Sequence, residues 1–264
     1  MIKVLVSGAC GRMGREVINA VSSAEDMTLV GAVDIANIGE DIGRIVLGKE
    51  NGVKVQDELK SAIESLKPDV VVDFTQPNSA FINAKAILEA GARPVIGTTG
   101  LKENEIAELR ELAKDKNLSG MIAPNFTTGA VLMMMFAQIA AKYFDNAEII
   151  EYHHNQKKDA PSGTAVKTAQ LMAKVNPDLM KGNCPETETI SGSRGGTANG
   201  NIHVHSVRMP GYMASQEVLF GSTGQILSIR HDSVDRKCYM PGVLMGVRYV
   251  MDNNEFVYGL DNIL

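Results

Sequence analysis

The stretch from Glu151 to Ala165 reads EYHHNQKKDAPSGTA and concentrates more reactive side chains than any other part of the chain. Two of the five histidines, His153 and His154, are adjacent, and Lys157 follows closely. An imidazole exchanges protons near neutral pH, and an ammonium group supplies both a proton and a positive charge. Ser162, Gly163 and Thr164 then open a predicted helix. Hydroxyls and unpaired backbone N–H groups at a helix start make a seat for a carboxylate or phosphate. Together these residue types suit proton transfer to a bound anion. The plainer readings are that Ser162 or Thr164 caps the helix and that the histidines pair with polar core groups. No Cys or carboxylate set has zinc-site spacing, so no metal is expected.

A second constellation lies at the N-terminus, where Gly8-Ala9-Cys10-Gly11-Arg12-Met13-Gly14 separates a strand-like run from a helical one. Glycines permit a tight turn and close backbone approach, and the helix start offers unpaired N–H groups to a pyrophosphate. The spacing is G-x-x-G-x-x-G rather than the commoner G-x-G-x-x-G. About 20 residues beyond Gly14, a second strand ends at Asp34, where a carboxylate accepts from adenosine ribose hydroxyls and repels a 2′-phosphate. Ile35, Ala36 and Asn37 follow, with no base before Arg44. NADH is favoured on this basis. Arg12 leaves NADPH open, and Asp34 as a simple strand-end turn residue is the alternative. Two further loops sit where strands end: Gly97-Thr98-Thr99-Gly100 and Ala123-Pro124-Asn125-Phe126. Their small residues and hydroxyls suit a nicotinamide ribose.

The elements that position these groups alternate regularly at first. Strands are expected at 2–7, 28–34, 70–74, 94–97 and 120–123, and helices at 12–23, 58–66, 79–90 and 103–116. That alternation argues for a doubly wound parallel sheet. Beyond Pro124 the pattern changes. A helix over 130–144, a strand over 147–154 and a helix over 163–174 precede a long loop, 176–200. Strands at 202–208, 215–221 and 225–232 suggest an antiparallel sheet, and a helix over 240–251 precedes a short tail. The fold class is thus α/β, a Rossmann-like domain plus an α+β domain with a mixed or antiparallel sheet. The chain reads as two domains, the first α/β and the second α+β.

Composition sets the outer bounds. The 264 residues are 44 % hydrophobic and 22 % charged, enough apolar surface for a core. Net charge is −5 without a basic stripe, which excludes nucleic acid as an expected partner. The longest apolar run, AVLMMMFAQIAA, is too short to span a membrane. Cys10, Cys184 and Cys238 form no C-x-x-C pair, which suits a reducing compartment, and the cytoplasm is the expected location.

These motifs resemble those of the 4-hydroxy-tetrahydrodipicolinate reductase family, long called dihydrodipicolinate reductases. The resemblance runs through GACGRMGRE, VVVDFT, VIGTTG, APNF, EYHHNQKKDAPSGTA, RGG with IHVHSVRMPG, and QEVLFG. The block HH-x-x-K-x-DAPSGTA is its most specific part. The resemblance implies a two-domain, usually tetrameric enzyme that reduces a cyclic dicarboxylate with NAD(P)H and expels water, in lysine and diaminopimelate synthesis, with residues 1–126 and 239–264 as the dinucleotide-binding domain and 127–238 as the substrate-binding and oligomerisation domain. It implies proton transfer by His153 and Lys157, and substrate contact by His154, Gly163 and Thr164, to which the helix-start chemistry adds Ser162. It implies cofactor contact by Gly8 to Met13, Asp34, Gly97 to Thr99 and Ala123 to Phe126. Ile35 replaces the basic residue that some members carry after the acidic one, which weakens an expectation of NADPH preference. The competing readings are another two-domain NAD(P)-dependent oxidoreductase and a non-catalytic dinucleotide-binding redox sensor.

Overall fold

The computed structural model describes residues 1–180 and 184–264. The chain divides into two compact units, one comprising Met1–Thr128 and Arg236–Leu264, the other Gly129–Asp235.

Unit 1 begins with β1 (Ile2–Ser7), α1 (Arg12–Ser23), β2 (Met27–Val33), α2 (Ile42–Leu47), β3 (Val55–Gln56) and α3 (Leu59–Leu66). It continues with β4 (Val70–Asp73), α4 (Pro77–Glu89), β5 (Arg93–Ile96), α5 (Glu103–Asp115) and β6 (Gly120–Ile122). In the second unit follow α6 (Thr128–Ala140), β7 (Asn146–His153), α7 (Gly163–Val175), β8 (Gly196–Thr197), β9 (His203–Arg208), β10 (Ala214–Ser222) and β11 (Gln225–Ser233). The chain then returns to unit 1 with α8 (Met240–Asp252) and β12 (Phe256–Tyr258).

The unit 1 sheet has the order β12-β6-β5-β4-β1-β2-β3, and every pair in it is parallel. Strand order therefore reverses between β1 and β4, the point at which doubly wound sheets bind ligands beyond their carboxyl ends. All four residues of β4 are buried, which explains why VVVD reads as a continuous apolar run ending in one carboxylate. One face carries α3, α4 and α5, with Leu5, Val71, Ile87, Ile96 and Leu109 in a common core. On the other face α8 packs against α1 and β5. Helix α4 begins two residues earlier than the sequence suggests because Pro77, lacking an N–H and fixed in φ, fits the first turn.

Unit 2 is a five-stranded sheet, β11-β10-β7-β9-β8, with α6 and α7 on one face over Ala147, Ile149, Val204, Val218 and Phe220. Beyond Pro124 several expectations change. The three strands after residue 200 do not form one antiparallel meander: β9 pairs parallel with β7, and β10 pairs antiparallel with it. MPGYMA thus carries the chain across β7 instead of closing a hairpin. The tail is not featureless either, since β12 lies against the edge of β6. The expected loop 176–200 is buried at its start by Leu179 and Met180, contains β8 near its end, and at 181–183 falls outside the described residues. Helix α6 stops at Ala140, four residues short of the expected end. Among the described residues, no helix is long and apolar enough to cross a membrane.

Candidate active site

In unit 1 the glycine turn follows β1, and the loops after β4, β5 and β6 follow its neighbours in order. Gly8 has φ +79°, and a Cβ there would stand 2.4 Å from the Phe74 carbonyl oxygen. A Cβ on Gly14 would stand 2.0 Å from the Gly8 oxygen, so α1 packs against the turn only because residue 14 has no side chain. Gly11 is the N-cap of α1 and no side chain caps that helix. Its first turn, carrying Arg12 and Met13, therefore leaves backbone donors for an external acceptor. Ala9 is fully buried and half-buried Cys10 gives its N–H to Asp34 Oδ2 at 2.8 Å. Ala36 N–H donates to Asp34 Oδ1 at 3.0 Å. Two backbone donors thus aim the carboxylate, whose other lone pairs stay available to hydroxyls.

The other two unit 1 loops contribute chiefly backbone. Thr98 is buried and its hydroxyl donates to Asp73 Oδ1 at 3.1 Å, whereas Thr99 is exposed and Gly97 lies against the Phe74 ring. Ala123 and Phe126 belong to the core, Pro124 is exposed, and Asn125 Oδ1 accepts the Thr127 N–H at 2.8 Å. Sequence reasoning passed over Asp73. This buried carboxylate also accepts from Asn83 Nδ2 at 2.8 Å and from the Thr75 hydroxyl at 2.8 Å, tying together the segments after β4 and β5. A lone carboxylate ending an apolar strand was the available signal.

In unit 2, His153 ends β7 and His154 lies just beyond it, exposed, accepting the Gln156 N–H at Nδ1 over 3.2 Å. The Lys157 ammonium grips both Asp159 oxygens at 2.8 Å and holds that carboxyl below its usual range. Ser162 caps α7, its hydroxyl accepting the Ala165 N–H at 3.2 Å. Thr164 is half-buried, and its carbonyl accepts the Thr168 hydroxyl at 2.8 Å. Gly163 is exposed, and a Cβ there would meet nothing within 4 Å. The interior gives no reason for glycine at that position.

Two residues that sequence reasoning missed join this segment. Glu151 is fully buried, and Arg208 reaches it from β9, with Nη2 to Oε1 at 2.7 Å and Nη1 to Oε2 at 2.9 Å. The Ser162 N–H donates to Glu151 Oε1 at 3.2 Å, and His153 Nδ1 contacts Oε2. Burial alone would raise the Glu151 carboxyl, but hydrogen bonds from His153, Arg208 and Ser206 outweigh it and hold the pKa at about 2. The alternation along β7 places Glu151 on the face of Ala147 and Ile149, so a carboxylate at a core position was legible. The Arg208 partnership depends on a strand pairing more than 50 residues away and was not.

Comparison with known proteins gives a consistent picture. Residues 2–126 match the family model described as dihydrodipicolinate reductase, N-terminus, and residues 129–264 match its C-terminus counterpart. A 4-hydroxy-tetrahydrodipicolinate reductase of Desulfitobacterium hafniense is 50 % identical, over 100 % of this chain and 98 % of its own length. One from Listeria innocua is 49 % identical, with 100 % of both chains covered. The dipicolinate-bound dihydrodipicolinate reductase from Paenisporosarcina sp. TG-14 superposes with a TM-score of 0.90 at 44 % identity, covering 100 % of both chains. An amine dehydrogenase from Mycobacterium smegmatis shares the fold alone, with a TM-score of 0.71 at 16 % identity over 98 % of this chain and 95 % of its own. Both units are thus matched along nearly their whole length, and the chain belongs to the dihydrodipicolinate reductase family.

Proposed function

We propose that this chain is an NAD(P)H-dependent oxidoreductase that reduces 4-hydroxy-tetrahydrodipicolinate to tetrahydrodipicolinate with loss of water, in lysine and diaminopimelate biosynthesis. The observation that carries the reading is His153 and the α7 turn gathered on one buried carboxylate, with Lys157 on the loop between them, in a chain matched by the family along both units.

The unit 1 residues fit a dinucleotide. Gly8 and Gly14 let the turn close tightly against Phe74 and against itself, α1 is uncapped, and Asp34 is aimed by two backbone donors. Gly8 to Met13 would hold the pyrophosphate, Asp34 the adenosine ribose, and the 97–99 and 123–126 loops the nicotinamide end. When bound, the reduced nicotinamide supplies the hydride. We assign NADH as the favoured form and NADPH as a usable one, from the carboxylate of Asp34 and the apolar, exposed Ile35 beside it.

The substrate is a small dicarboxylate carrying a cyclic imine. Gly163 and Thr164 present backbone and hydroxyl donors to one carboxylate at the start of α7, with Ser162 shaping that turn. His154, exposed beyond β7, contacts the same molecule. Lys157 exchanges Asp159 for the substrate anion, and its ammonium then balances charge and donates a proton. His153 holds Nδ1 against Glu151, so its Nε2 is the nitrogen that exchanges a proton. The open face of the unit 2 sheet, with Ile226 on β11 81 % exposed, supports a homotetramer built through 201–232.

A coupled assay tests the reading. The preceding synthase generates substrate from pyruvate and aspartate semialdehyde, and oxidation of NADH and NADPH is followed side by side. Oxidation of neither cofactor sinks the assignment, and a tenfold preference for NADPH removes the role given to Asp34. Sedimentation equilibrium showing a stable monomer at micromolar concentration removes the tetramer.

A further inference from the structure

We propose that Glu151 is a positioning residue for the reduction: its buried carboxylate, held by Arg208, fixes the His153 ring in the Nδ1–H tautomer and seats the Ser162–Thr164 turn. The proposal rests on the reading of His153 as a proton-exchanging group.

A carboxylate without solvent must be paired and hydrogen-bonded to be tolerated. Glu151 receives Arg208 Nη1 and Nη2, His153 Nδ1 and the Ser162 N–H on its two oxygens, with the Ser206 hydroxyl beside them. These donors fill the roughly four lone-pair sites of a carboxylate, so none remains for substrate. Glu151 is therefore not itself an acid or base in the reaction. With its pKa held at about 2, it is ionised throughout the neutral range and accepts only. The His153 nitrogen facing it must carry hydrogen, which leaves Nε2 as the exchanging position in every turnover.

The same node reaches the second proton-bearing group. Arg208 Nη2 also donates to the Asp159 carbonyl at 2.7 Å, and the Asp159 carboxylate grips Lys157. The charged groups around the His153 contact are thus Glu151 on β7, Arg208 on β9, and Asp159 with Lys157 on the following loop. Glu151→Gln tests the tautomer directly. Arg208 needs an acceptor, so it draws the Gln carbonyl and turns the amide NH2 toward His153 Nδ1. That nitrogen then becomes an acceptor, and the ring hydrogen moves to Nε2.

The measurement is ring 15N spectroscopy on histidine-labelled protein at about pH 9, above the imidazole range, with His153 assigned by its loss in His153→Ala. Wild type is expected to show hydrogen on Nδ1. Glu151→Gln should show it on Nε2, with kcat lowered about 10²-fold, NADH affinity unchanged, and partial recovery in Glu151→Asp. Hydrogen on Nε2 in wild type overturns the proposal, whatever the behaviour of Glu151→Gln. So does Glu151→Gln with kcat within about twofold of wild type. Unchanged turnover in His153→Ala signals a different failure, that of the proton-exchange reading itself, independently of where the ring hydrogen sits.

Discussion

Two helices begin at the two halves of the chemistry, and they begin differently. Helix α1 has no side-chain cap, and the turn before it is so tight that Gly8 and Gly14 lie against backbone atoms. Helix α7 is capped by Ser162, whose own N–H is taken by buried Glu151, and a Cβ on its Gly163 would meet nothing within 4 Å. The first site is made by removing side chains until backbone donors stand bare. The second is made by adding charged side chains around one carboxylate. A glycine at the first is demanded by the protein's interior. A glycine at the second leaves room for something outside it.

The contrast breaks most sharply at the glycines. Gly14→Ala places a Cβ 2.0 Å from the Gly8 oxygen, and backbone cannot swing aside. We expect a destabilisation of about 3 kcal/mol in chemical denaturation and loss of NADH binding by calorimetry. Normal NADH affinity in that variant would erase the distinction drawn above.

Next in size come the charged groups of unit 2. Lys157→Ala should lower kcat about 10²-fold in the coupled assay while NADH affinity stays near wild type. A loss of NADH binding equal to that of Gly14→Ala would show that the two sites are not separable.

Gly163→Ala should fold with wild-type stability and raise substrate KM about tenfold, because its Cβ intrudes only on the ligand side. Thr164→Ala removes one hydrogen bond to a charged group, worth about 1.5–3 kcal/mol, and should likewise act on KM more than kcat. A Gly163→Ala protein with unchanged KM would return that glycine to an ordinary helix start.

The last effect concerns acid. The Glu151 carboxyl is depressed from 4.5 to about 2 by its partners, so its contribution to stability is complete above about pH 4.5 and fades as pH falls toward 2. Thermal melts of wild type and Glu151→Gln should therefore converge over that window. A constant gap between their Tm values down to about pH 2 would contradict the ionised carboxylate.

What was legible in the sequence was local. GACGRMG between a β-branched run and an amphipathic one, or SGTA after HH-x-x-K, carries its meaning within a dozen residues. The parallel sheet and the α+β second domain followed from the order of such segments. The strand FVY was lost because three residues in a polar tail have no period of their own and are strand only by lying beside β6. MPGYMA looked like a hairpin because turn chemistry does not reveal that β7 lies between β9 and β10. Ser162 and Thr98 show the same limit at single residues. Their hydroxyls suited a ligand by type, yet in the fold one accepts from Ala165 N–H and the other donates to Asp73.

The division of unit 1 into two stretches has a consequence for how the chain folds. Helix α8 and strand β12 must join a sheet whose other strands are all encoded before residue 123, with the whole of unit 2 in between. While Gly129–Asp235 is unfolded, bringing Arg236 back to Thr128 closes a loop of that length at an entropic cost on the order of 4 kcal/mol. Once the segment has folded, its ends have a fixed separation and most of that cost is gone. Unit 2 is then a staple for the dinucleotide sheet, and a mutation that unfolds its core returns that entropic cost to a domain it does not belong to.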